Sequence, residues 1–220
     1  MATNPSVDEG LIICLSGPSG VGKGTVIRKM LESRSDMRHS ISMTSRPPRY
    51  NERNGVHYHF VSRDYFEELI RQGEILEYDE YMDNYYGTPA APLREAVAQG
   101  ISVLLDLTVV GTLALKAKFP HALTVFLMPP SQAALEKRLR RRGTEDDEII
   151  ERRLAVAASE ISQAVNFDYV IINDDLGSTV DKLSSICTAE HSRTERMDKK
   201  ITRLQEEFRQ YTKSGESLED

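Results

Sequence analysis

The sequence predicts an α/β fold: a mostly parallel sheet covered by helices on both faces, in three layers. Three observations carry that expectation. Strand-like and helix-like stretches alternate from residue 11 to residue 190. The run 102–106 reads as a buried parallel strand that ends in a carboxylate, Asp106. The first apolar run, 11–15, leads into the turn Gly17-Pro18-Ser19-Gly20-Val21-Gly22-Lys23-Gly24-Thr25 and then a helix. Strand, glycine-rich turn and helix in that order are the context of a phosphate-binding loop, which places the fold among those of P-loop NTPase type.

The chemistry of that loop follows from its residues. Glycines let the backbone wrap closely around an anion, and amides at a helix N-terminus point at phosphate oxygens. Lys23 adds a mobile positive charge near a transferred phosphoryl group. Gly24 stands where a serine or threonine usually follows the lysine, and Thr25 supplies the hydroxyl one position later. A Mg²⁺ contact from that hydroxyl is therefore expected to be indirect.

Composition bounds the partners. With 220 residues and a net charge of −6, the chain is one domain of moderate size with no general attraction for nucleic acid or anionic membranes. Any anion site must be a local concentration of arginine and lysine. Cys14 and Cys187 lack metal-ligand spacing and suggest a reducing compartment. The polar start of the chain and the absence of a long apolar run lead us to expect a cytoplasmic protein.

The elements follow in order. Residues 1–9 read as a disordered lead-in, 11–16 as the first strand and Lys23–Ser33 as its helix. The stretch 39–49 starts as a strand and breaks at Pro47-Pro48, and 50–55 is a polar loop. Residues 56–61 alternate as a strand does, and 63–72 form a helix ended by Gly73. Two short strands, Ile75–Tyr81 and 85–88, flank a turn at 82–84. The tyrosine-rich stretch 42–88 reads as a small mixed insertion. Residues 92–99 are helical, Ser102–Asp106 is a strand, 109–119 a helix and 122–127 a strand. Pro129-Pro130-Ser131 caps a helix over 132–141, and Thr144 caps an acidic helix over 145–164. A last strand at 168–173 and a helix at 178–190 complete the alternation. The tail repeats Met197, Ile201, Leu204, Phe208 and Tyr211 at steps of four and three, a narrow apolar seam. Packing on the chain's own core and contact with another copy both remain open for it.

Several blocks, taken together, are similar to the guanylate kinase family: GPSGVGKGT (17–25), SISMTSRPPR (40–49), GVHYHFVSR (55–63), GEILEY (73–78), NYYGT (84–88), RRRGT (140–144) and VIINDDL (170–176). They occur in the family's order over residues 11–190, and AEHSRTER (189–196) resembles bacterial members. A Gly-Lys-Gly-Thr ending is a familiar variant among nucleoside monophosphate kinases, so Gly24 agrees with the resemblance.

The resemblance implies an ATP:GMP phosphotransferase, dependent on Mg²⁺, with dGMP as a further acceptor. It divides the chain into a core (10–41, 89–128 and 166–190), a GMP-binding insertion (42–88), a helical lid (129–165) and a C-terminal helix and tail (191–220). Loop residues 17–25 and Asn173 would hold ATP. Arg46, Arg49, Tyr58 and Tyr86 would clamp the GMP phosphate, the arginines through planar forks. Glu77 would accept both the N1–H and the amino group of guanine, a donor pair that adenine lacks, with Ser42 and Thr88 as hydroxyl donors. Asp106 would face Lys23 and the acceptor. Arg138, Arg142 and Arg153 match the lid arginines, which neutralise charge as the phosphoryl group moves. Read singly, the tyrosines are also good packing residues, Glu77 an ordinary solvated charge, and the basic run 137–142 a solvated helix face. One block departs from the pattern: where a sequence like L[DE]I[DE]VQG is expected, Thr108 replaces an acid and Val110 a glutamine. A different small-molecule kinase, or a non-catalytic module of the same fold, are the remaining alternatives. A homo-oligomer through the C-terminal helix is one of the two readings left open for the tail.

Overall fold

The computed structural model describes residues 9–81, 83–141 and 147–216. Along the chain the elements are β1 (Ile12–Ser16), α1 (Lys23–Ser33), β2 (Met37–His39), β3 (Met43–Thr44), β4 (His59–Phe60), α2 (Arg63–Arg71), β5 (Ile75–Tyr81) and β6 (Asn84–Pro89). There follow α3 (Ala90–Ala98), β7 (Ser102–Asp106), α4 (Val109–Lys118), β8 (Leu123–Met128), α5 (Gln132–Arg140) and α6 (Asp147–Ser162). A 3-10 turn (Gln163–Asn166), β9 (Tyr169–Ile172), α7 (Leu176–His191) and α8 (Thr194–Glu216) complete the order.

The main sheet runs β2-β7-β1-β8-β9, and every neighbouring pair in it is parallel. Its central strand explains the apolar run at the start of the chain: Ile13, Cys14 and Leu15 are wholly buried between strands and under helices. Leu76, Leu93, Leu105 and Leu115 join Cys14 in one core cluster. Register then places the functional ends. Leu15 of β1 pairs with Asp106 of β7, so the phosphate loop leaves the sheet beside that carboxylate.

A second, mixed sheet runs β4-β3-β6-β5. Here β3 pairs parallel with β4 and antiparallel with β6, which pairs antiparallel with β5. Phe66 of α2 is buried and stacks on Tyr85 at 5.2 Å between ring centroids. This is the mixed texture expected for 42–88.

Several boundaries differ from the sequence reading for identifiable reasons. The strand expected over 56–61 is reduced to His59–Phe60, because Gly55 is left-handed (φ 73°) and Val56 and His57 turn back to the Arg53 carbonyl. The strand expected to start at 39 is replaced by two: β2, which begins earlier and ends at His39, belongs to the main sheet, and β3 belongs to the other. Helix α3 starts at Ala90, two residues early, since a proline in the first turn costs no hydrogen bond. Helix α7 starts at Leu176, where Asp175 Oδ1 accepts the Ser178 amide at 2.8 Å. The lead-in to residue 8, the turn residue Met82 and the break at 142–146, with Arg142 and the Thr144 cap, lie outside the described residues.

The chain divides into two compact units, Met1–Lys182 and Leu183–Asp220. Within the second, Ile201, Leu204, Phe208 and Tyr211 are exposed along α8. Among the described residues no helix is long and apolar enough to cross a membrane.

Candidate active site

The phosphate loop joins β1 to α1. Gly22 is the helix N-cap and takes a left-handed conformation, φ 105°. A side chain there would be strained, and its Cβ would meet Asn173 Nδ2 at 2.8 Å. Lys23 Nζ donates to the Gly17 carbonyl at 2.6 Å, so its ammonium lies folded back over the loop. A cavity of 400 Å³ opens here, lined by Ser19, Gly22, Lys23, Thr25, Arg28 and Asp106 among others. A Cβ at Gly24 would meet nothing within 4 Å, so sterics do not explain the glycine.

Groups remote in sequence hold the loop in place. Asn173 is buried; its Nδ2 donates to Val21 O at 2.7 Å and its Oδ1 accepts from Thr179 Oγ1 at 3.0 Å. Arg138 donates from Nη1 to Val21 O (3.0 Å) and from Nη2 to Asn173 O (2.8 Å). Arg153 Nη1 reaches Ser19 Oγ at 3.0 Å. Two of the three expected lid arginines therefore touch the loop or its support. Arg142 is not described.

A second cavity, of 340 Å³, opens between the two sheets, and Ser42, Tyr58, Glu77, Tyr86, Asp106 and Thr108 are on its wall. Glu77 is buried, 8% exposed, and Thr88 Oγ1 donates to its Oε1 at 2.6 Å. Burial raises the Glu77 pKa, with Thr88 and Lys118 pulling it down and Asp79 pushing it further up. Thr88 is itself 1% exposed, so it stands behind Glu77, orienting the carboxylate. Tyr58 and Tyr86 meet edge to face at 6.0 Å, and the Arg46 guanidinium lies 5.7 Å from the Tyr58 ring centroid. Burial raises the Tyr58 pKa, so its phenol stays a donor at neutral pH.

Asp106 lines both cavities. Desolvation raises its pKa first, and the neighbouring Lys23 and His39 side chains oppose that shift. Thr108, two residues on, is the N-cap of α4: its Oγ1 accepts the Gly111 amide at 3.1 Å. Val110 is exposed on the first turn of that helix. The replaced acid thus has a structural explanation, since threonine caps a helix as aspartate does. Nothing in the structure explains Val110.

Some expected residues are arranged differently from the sequence reading. Arg46 and Arg49 are both outside the lining of the second cavity, and the Arg49 backbone amide donates to Glu52 Oε2 at 2.8 Å. Arg46 Nη2 contacts both oxygens of the same carboxylate, at 2.8 and 2.9 Å. Glu52 is therefore a central member of the arginine cluster that sequence reasoning missed. It lies in a polar loop with no periodic signal. Asp79, also on the cavity wall, was missed although it stands two residues from Glu77 on the same strand face. Gly111 carried a usable signal: a glycine inside a helix costs about 1 kcal/mol and calls for a reason. Here a Cβ would lie 2.7 Å from Glu77 Oε2.

Comparison with known proteins identifies the family. A family model described as guanylate kinase matches residues 10–190. A guanylate kinase from Halalkalibacterium halodurans is 44% identical over 199 residues, covering 90% of this chain and 98% of that protein. One from Symbiobacterium thermophilum is 46% identical, covering 87% and 91% respectively. The crystal structure of guanylate kinase from Anaplasma phagocytophilum matches with a TM-score of 0.69 and 36% identity, covering 86% of this chain and 90% of that one. The match takes in the phosphate loop and both cavities, and the chain belongs to the guanylate kinase family.

Proposed function

We propose that this protein transfers the γ-phosphoryl group of ATP to GMP, giving ADP and GDP. The observation that carries this reading is Asp106, which lines both the phosphate-loop cavity and the Glu77 cavity. A donor in the first and an acceptor in the second meet at one carboxylate. An oxygen of the GMP phosphate attacks the γ-phosphorus, and the bond to the β–γ bridging oxygen breaks as ADP leaves. No protein nucleophile is needed, because positioning and charge stabilisation suffice for this transfer.

The roles proposed for the site residues are supported by their placement. Loop amides and Lys23 hold the β- and γ-phosphates, and Lys23 exchanges its bond to Gly17 O for one to phosphate. Arg46, Tyr58 and Tyr86 receive the acceptor phosphate, with Arg49 joining when the 42–88 insertion closes. Glu77 accepts from the guanine edge and Ser42 donates to it, while Thr88 fixes Glu77. Arg138 and Arg153, with Arg142, bring positive charge over the donor as the lid at 129–165 closes and excludes water. Asn173 supports the donor site through Val21.

Mg²⁺ fits the residues present. Thr25 and Asp106 line the donor cavity and offer one hydroxyl and one carboxylate, a sparse oxygen set suited to an ion that keeps its waters and phosphate ligands. Bound there, it would neutralise charge on the moving phosphoryl group.

The test is ADP release measured by a coupled assay against GMP, dGMP, AMP, CMP and UMP. Turnover with GMP and dGMP, and little with the others, is expected. Turnover confined to a different acceptor would overturn the guanine assignment.

A further inference from the structure

We infer that the acceptor cavity reads position 2 of the purine through the neutral hydroxyl of Thr108, and so takes 6-oxopurine nucleoside monophosphates as a class, inosine monophosphate as well as GMP. The inference rests on the reading of Glu77 as the base-recognising carboxylate. A Cβ built on Gly111 would lie 2.7 Å from Glu77 Oε2 and 3.3 Å from Thr108 Oγ1, so the two oxygens flank one point on the first turn of α4. Both residues line that cavity. Whatever edge of the base meets Glu77 therefore also meets Thr108.

The two groups read different things. Glu77 is an acceptor only: its Oε1 takes the Thr88 hydroxyl, and its Oε2 is the oxygen on the Gly111 side, next to Thr108. It needs a donor, which N1–H supplies in guanine and hypoxanthine alike. Adenine offers a lone pair at N1 and is rejected. The 2-amino group separates guanine from hypoxanthine, and Thr108 is the neighbouring group that can sense it. A carboxylate at position 108 would be strict: without the amino group a desolvated charge loses its partner, the situation in which sites reject an analogue by about 10⁴–10⁵. A hydroxyl is lenient. Thr108 Oγ1 accepts the Gly111 amide at 3.1 Å whatever the ligand, so it keeps a hydrogen bond when the amino group is missing. It carries no charge to strand. Two other carboxylates are on this wall: Asp106, which also lines the donor cavity, and Asp79, which is exposed and whose Oδ1 accepts the Glu80 amide at 2.8 Å, so water can serve it in either complex.

The experiment is kcat/KM of the full-length protein for GMP, IMP and AMP, for wild type and for Thr108→Asp. Aspartate caps a helix as well as threonine, so the variant keeps α4, which thermal melting checks. The wild type is expected to use IMP within about 10–200-fold of GMP, the range of a small missing contact, and to use AMP far less. Thr108→Asp is expected to widen the GMP/IMP ratio by about tenfold or more. A wild type that turns over GMP but rejects IMP as firmly as AMP would overturn this inference. So would a GMP/IMP ratio that Thr108→Asp leaves unchanged. Both results leave the proposed GMP kinase activity standing, whereas absence of turnover with GMP would defeat that reading itself.

Discussion

Glu77 concentrates the conflict between function and stability at the scale of one residue. Burial raises its pKa above the ordinary carboxylate value, against the opposing hydrogen bond from Thr88. A raised folded-state pKa means that the folded protein binds a proton here more tightly than the unfolded chain does. Ionised Glu77 therefore costs stability at neutral pH, and the cost is relieved as pH falls through the raised value. Glu77→Gln keeps the acceptor for Thr88 and removes the charge. It is expected to lower kcat/KM for GMP by about 10²-fold or more and to raise the melting temperature of the ligand-free protein by roughly a few degrees at pH 7. Calorimetry at pH 7 and pH 5 checks the sign, because the gap from wild type should shrink at the lower pH. Cys14 shows the same physics with no function attached: full burial drives its thiol pKa up to about 12. Residues of this kind differ in how far the sequence exposes them. Lys23 and Asp106 were legible, because Lys23 closes a glycine-rich turn at the start of α1 and Asp106 ends the apolar strand β7. Glu52 was not, because its two partners, Arg46 and the Arg49 amide, converge only when the loop folds. The position of Thr88 behind Glu77 was hidden for the same reason, since it depends on the pairing of β5 with β6.

At the scale of elements, the donor site depends on a junction between β9, α5 and the phosphate loop. Asn173 follows β9 and spends both ends of its amide on the junction, at Val21 O and Thr179 Oγ1. Asn173→Ala removes one hydrogen bond from each partner, while Val21 O keeps the Arg138 donor and Thr179 Oγ1 keeps the Asp175 carbonyl, so the loss is that of ordinary hydrogen bonds, about 0.5–1.5 kcal/mol each. Denaturant unfolding should register that loss. Kinetics should show a raised KM for ATP with KM for GMP little changed, because the acceptor cavity shares no residue with this junction. Strands β1, β7, β8 and β9 of the main sheet were readable as apolar runs, β2 (Met37-Arg38-His39) was not, and α5 announced itself by its Ser131 cap, which accepts the Ala134 amide at 3.1 Å. The small sheet was harder to read. Its strands β3 and β4 are two residues each, too short for periodicity, and a left-handed glycine cuts short the alternation at 56–61.

At the scale of the whole molecule, two expectations are open to direct measurement. The exposed stripe Ile201, Leu204, Phe208 and Tyr211 keeps the four-and-three spacing of a helix seam, and we propose that it meets the same stripe of a second copy. Phe208→Glu is then expected to shift sedimentation toward the monomer without altering kcat, whereas unchanged sedimentation would contradict the contact. The central claim, direct transfer between two cavities joined at Asp106, is tested most directly with ATP labelled at the γ-phosphate. Wild-type protein with GMP should give labelled GDP and no labelled protein, and Lys23→Met should slow this by about 10²–10³-fold, as loss of a charge-stabilising donor does. Label recovered only as inorganic phosphate, or full transfer by Lys23→Met, would contradict the account.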